Sequence, residues 1–122
     1  MRLVLDSNST LNLVREYGNG SVVVAKQRIR QPFVLTSTRV LLEWPVSSLP
    51  QLQEQDLQPL FETGAQIILL GAGESQTFAS AAVRASCRAR GIALECMTLG
   101  AACRTYNILA SEDRPVAAGL FP

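Results

Sequence analysis

The 122-residue sequence predicts an α/β fold, a three-layer sandwich with a mostly parallel C-terminal sheet and a β-rich N-terminal portion. Three observations predict it. From Ile67 onward, strand-length apolar runs alternate with helical patterns, as in parallel strands joined by right-handed crossovers. Ile67 to Leu70 is apolar without a break, which suits a strand covered on both faces. Upstream, short β-branched runs are punctuated by glycine and proline, as in antiparallel hairpins. A chain of this length reads as one domain, residues 1–122, with enough buried surface for a core that needs no disulfide staple.

The elements follow in order. Leu11 to Tyr17 runs into Gly18-Asn19-Gly20, a strong turn signal, and Ser21 to Ala25 returns as a β-branched strand. Lys26, Arg28 and Arg30 alternate with Gln27, Ile29 and Gln31, which puts the three cations on one strand face. Charge of this kind guards an edge strand against sticky pairing. Phe33 to Ser37 and Arg39 to Trp44 read as further strands, with Pro32 before the first and Pro45 closing the second. Leu57, Leu60 and Phe61 stand at helical spacing within Gln53 to Thr63, and Gly64 stops that helix. After the strand at Ile67 to Leu70, Gly71-Ala72-Gly73 forms a turn. Ser80 to Arg90 is an alanine-rich helix ended by Gly91, and Ile92 to Met97 is the next strand. A helix from about Ala101 to Glu112 and a last strand from Val116 to Phe121 complete the pattern.

Composition excludes much. Histidine is absent, which removes histidine-based triads, dyads and metal sites. Cys87, Cys96 and Cys103 are odd in number and lack C-x-x-C spacing, so neither a disulfide framework nor a zinc site is expected. A net charge of +1 makes no bulk case for nucleic acid or an anionic membrane. No apolar run approaches the ~20 residues of a membrane span. Polar residues at positions 6–8 break any N-terminal apolar run, so a cytoplasmic protein without a signal peptide is expected.

In an open parallel sheet, ligands bind beyond the carboxyl ends of the strands. The loops at residues 71–75 and 98–101 should open on one such rim, with a helix N-terminus beside them for an anion or a carbonyl. The candidate rim site is Gly71, Gly73, Glu74, Cys103, Arg104, Thr105 and Asn107. Gly71-Ala72-Gly73 is not a dinucleotide fingerprint, because Gln76 occupies the position of its third glycine, and no P-loop lysine follows. Cys103 lies near the positive end of a helix, beside Arg104, but no histidine can serve as its base. A small buried packing role suits it better. Thr105 and Asn107 are poor helix formers, so something must compensate for their placement. A buried Asn107 needs hydrogen-bond partners, most simply backbone groups of the 71–75 loop or of the β-rich half.

Gly71-Ala72-Gly73 after an apolar strand, Phe78, Gly91-Ile92 and the run Ala101-Ala102-Cys103-Arg104-Thr105-Tyr106-Asn107-Ile108-Leu109 together resemble a known family. Tyr17-Gly18 with Gly20, Trp44-Pro45 and the stretch from Arg114 to Leu120 extend the resemblance over nearly the whole chain. It is the small α/β family labelled a domain of unknown function, whose members include mitochondrial respiratory complex I assembly factor 3. The resemblance implies a three-layer α/β fold and a role in binding or assembly through protein contacts, without catalysis or a cofactor. Two departures stand out. Thr98-Leu99 replaces an Asp-Thr pair usual before the motif, and a mitochondrial targeting segment is expected to be missing. The alternative from the residues themselves is a small-ligand or anion binder, or a cysteine-dependent enzyme, at the rim. RNA binding through Lys26, Arg28 and Arg30 is a third possibility, and a protein partner is preferred over nucleic acid.

Overall fold

The structure, a computed structural model, describes residues 10–122. Two sheets organise it. Strands β1 (Val14–Gly18), β2 (Ser21–Val24) and β3 (Gln27–Ile29) form an antiparallel sheet in the order β1-β2-β3. Strands β4 (Phe33–Leu35), β5 (Val40–Leu41), β6 (Ile67–Ala72), β7 (Ala93–Met97) and β8 (Val116–Phe121) form the second, in the order β5-β4-β8-β6-β7. Within it β8, β6 and β7 are parallel, and β4 and β5 extend the sheet antiparallel. Helix α1 (Gln58–Phe61) and helix α2 (Ala81–Ala89) share one core with Ile68, Leu70 and Ala117, whereas helix α3 (Leu99–Ser111) shares another with Leu69, Ala118 and the β1–β3 sheet. The expected mixed α/β sandwich is present, and the β-rich portion lies against α3.

Several local expectations are corrected. The Gln53–Thr63 segment is not one helix but a 3-10 turn over Glu54–Leu57 followed by α1. Pro59 explains the break, since it has no N–H to give to Gln55 and its ring would crowd that carbonyl. Arg39 to Trp44 pairs with β4 only at Val40–Leu41. Beyond that point the chain leaves the sheet, so that the Trp44 ring packs tilted against Phe121, with centroids 5.3 Å apart, and its indole N–H donates to the Asp56 carbonyl at 2.8 Å. Lys26 does not share a strand face with Arg28. Ala25 has a left-handed φ of 54°, which puts Ala25 and Lys26 in the turn between β2 and β3. Arg28, itself exposed, reaches across the sheet instead, donating to Glu16 at 3.0 Å and to Ser21 at 2.8 Å.

Gly71 is also not a turn residue. It belongs to β6, paired with Met97 and Leu120, and only Gly73, at φ 65°, turns the chain. Its lack of a side chain sets the distance between layers. A Cβ at Gly71 would stand 2.3 Å from the Ala102 Cβ, so α3 lies directly on β6.

Candidate functional site

The rim is built where β6 and β7 end and α3 begins. Thr98 is the N-cap of α3, and its hydroxyl accepts from the Ala101 N–H at 3.2 Å. Thr98 stands where the family resemblance places an aspartate, and either residue caps a helix well. One further donor at the helix start is also occupied, because the Leu99 N–H bonds the Gly73 carbonyl at 3.0 Å. Beside it, the Gln76 amide donates to the Cys96 carbonyl at 2.9 Å, which covers part of the exposed edge of β7. The two loops that should open on a common rim are therefore bonded to each other. Gly100 brings the helix close to β1, since a Cβ there would meet the Tyr17 ring at 2.7 Å.

Behind this junction α3 presents its polar residues to the β1–β3 sheet. Asn107, 7% exposed, accepts from the Val14 N–H and donates to the Val14 carbonyl, both at 2.8 Å. Its carboxamide thus acts as a one-residue strand against β1. Tyr106 donates its hydroxyl to the Asn12 carbonyl at 2.6 Å. Burial pushes the Tyr106 phenol well above its usual range. Cys103 is fully buried, and its thiol is pushed up to about 12, because desolvation outweighs the opposing charge of Arg104. A thiol held protonated at neutral pH is a poor nucleophile. All three cysteines are free and buried.

The expected site residues separate into three groups. Gly71, Cys103 and Asn107 lie in the packed junction between α3 and the sheets. Arg104 lies outside, its guanidinium bonded to the Tyr17 hydroxyl and 5.9 Å from the Tyr17 ring centre, while Thr105 is partly buried beside it. Gly73 and Glu74 border an open cavity of about 360 Å³ on the other side of β6, together with Ala72, Phe121 and the Ser47–Pro50 segment. Thr77 also lines it, with a buried hydroxyl that has no hydrogen-bond partner among the described residues. Sequence reasoning missed Ser47–Pro50 and Thr77. The residues at 47–50 lie far from the glycine loop in sequence, and nothing local to them signals a cavity. Thr98 could have been found, since a threonine before a helical pattern is an N-cap signal.

Among the described residues no group of three His, Cys, Asp or Glu side chains could hold a metal ion. Nor is any helix among them long and apolar enough to cross a membrane.

Comparison with known proteins places this architecture. A family model described as a protein of unknown function (DUF498/DUF598) matches residues 14–121. The 13 kDa major membrane protein of Francisella tularensis is 27% identical over 104 residues, covering 84% of this chain and 85% of that protein. NADH dehydrogenase (ubiquinone) 1 alpha subcomplex assembly factor 3 of Danio rerio is 34% identical over 84 residues, covering 67% of this chain and 48% of that relative. The chain therefore spans about half the length of that assembly factor. A Xanthomonas campestris protein solved by NMR superimposes with a TM-score of 0.84 at 40% identity, covering 99% of this chain and 92% of that one. With the family model spanning both sheets and α3, the chain belongs to the DUF498/DUF598 family of proteins of unknown function.

Proposed function

We propose that this protein is a non-catalytic binding or assembly factor that acts through protein contacts, with the outward stripe of α3 as its contact face. The observation that carries the reading is the group formed by Tyr17, Arg104 and Ile108. Arg104 donates to the Tyr17 hydroxyl, and Ile108, one helical turn further on, is 58% exposed. Tyrosine and arginine beside an exposed aliphatic side chain are the residue types that anchor protein interfaces. The buried polar groups of the same helix are already bonded within the fold, which leaves them unavailable for acid–base work. Assistance to respiratory complex I assembly is the finer reading, supported by relatives whose names carry that role.

Affinity capture from native cells tests it. Wild-type protein should recover a protein partner that an Ile108→Asp, Arg104→Glu variant loses while keeping its thermal midpoint. Deletion of the gene should lower the amount of assembled NADH dehydrogenase. Background-level capture together with normal NADH dehydrogenase in the deletion strain would overturn the proposal.

A second reading has one observation in its favour, the 360 Å³ cavity beside Gly73 and Glu74, bordered by a Thr77 hydroxyl with no partner among the described residues. A small polar ligand there would shift the amide resonances of Gly73 to Thr77 on titration. Screening that moves none of them would remove it.

A further inference from the structure

At the opposite end of the sheet, where β6 and β8 begin, two concavities adjoin. One is a trough of about 230 Å³ bordered by Val34, Val40, Leu41 and Pro59, with Arg39 and Glu62 also on its walls. The other, about 120 Å³, is lined by Ser37, Thr38 and Arg114. Thr36 and Thr63 line both, so the two form one continuous surface.

Thr36 is the telling residue. It is 9% exposed, and its hydroxyl oxygen accepts from the Arg39 N–H at 3.0 Å and the Thr38 N–H at 3.4 Å. Both bonds use the oxygen as acceptor. With its oxygen engaged as an acceptor, the rotatable O–H is left to donate toward the cavities that Thr36 lines. Arg39 and Arg114 are exposed, and neither has a carboxylate partner among the described residues. The Thr36 O–H and the exposed Arg114 guanidinium both border the smaller cavity and offer it donors that suit an acceptor with negative charge. Position can be decided too. Glu62 borders the trough and opposes an anion there, whereas no carboxylate lines the smaller cavity beside Arg114.

We propose that this end of the sheet binds a small amphipathic anion, with its carboxylate or phosphate head against Thr36 and Arg114 and its aliphatic part in the trough over Val40, Leu41 and Pro59. The site lies apart from the α3 stripe, so it stands or falls independently of the protein-contact reading.

Titration of the isotope-labelled protein with decanoate, below its micelle-forming concentration, tests the site by amide resonances. Saturable shifts are expected at Thr36 to Arg39, Thr63 and Val116, with inorganic phosphate and decanol each binding more weakly than decanoate. Arg114→Gln removes a charge from an exposed side chain and should weaken decanoate about tenfold or more. Arg30→Gln, outside the site, should leave it unchanged. The proposal is overturned by the absence of saturable shifts at these residues, by phosphate alone binding as tightly as decanoate, or by full affinity in Arg114→Gln.

Discussion

Helices α2 and α3 make the same kind of crossover, one from β6 to β7 and the other from β7 to β8, and both begin on a hydroxyl cap. Ser80 accepts from the Val83 N–H and Thr98 from the Ala101 N–H, each at 3.2 Å. Their surroundings differ. Helix α2 buries only Val83 and Cys87, and its outer side carries Arg84 and Arg88 into solvent. Helix α3 buries Leu99, Ala102, Cys103, Tyr106, Asn107 and Ala110, because it lies between two sheets. A helix covered on one side needs only an apolar stripe. A helix covered on two sides must also serve the backbone of whatever covers it, and β1 offers Val14 with both polar groups turned toward α3. Asn107 meets that need, and no residue of α2 faces one like it.

The largest test of this contrast is Asn107→Ala. It strands two buried backbone groups and should cost about 3 kcal/mol or more in chemical denaturation. A loss under about 1 kcal/mol would mean that Val14 finds other partners and that α3 is no more constrained than α2.

Next comes the alkaline limb. An unfolded thiol ionises near 9.0, whereas folded Cys103 keeps its proton to about 12. The stability this group contributes is therefore complete below pH 9 and is lost as pH rises through 12, on the order of 2–4 kcal/mol by the end of that window. Tyr106 adds to the loss in the same direction. Denaturation midpoints against pH should fall less steeply in Cys103→Ala, and native Cys103 should resist alkylation at neutral pH. Rapid labelling of the folded protein would show an opening of the α3 junction instead.

Cap removal should be nearly equal in the two helices, since the cap geometry is the same. Ser80→Ala and Thr98→Ala are each expected to cost about 1 kcal/mol. A Thr98 effect well above the Ser80 effect would show that the junction with Gly73 depends on the cap as well. Smallest of all, Arg84→Ala and Arg88→Ala on the outside of α2 should stay within about 0.5 kcal/mol by thermal melting.

Much of the architecture was legible. The uninterrupted Ile67–Leu70 run marked a doubly covered strand, and β6 is the strand flanked by β8 and β7. Poor helix propensity at Asn107 marked a residue with a job outside its own helix. Its partner was not legible, because Val14 lies 93 residues away. The rim set was read as one site because loop order alone brings the 71–75 and 98–107 segments together. In space, those residues divide among a packed junction, an outer stripe and a cavity mouth.

Period, breakers and composition act over a few residues, and from them the sequence by itself determined the fold class, the order of the elements and the absence of histidine chemistry. Those local signals carry no information about which surfaces meet. Only the tertiary structure decided that Leu99 would bond Gly73, that Arg104 would lie on Tyr17, and that Cys103 would be sealed from solvent. Each of these is an encounter between distant segments, and its position depends on how closely α3 can approach β6 over Gly71.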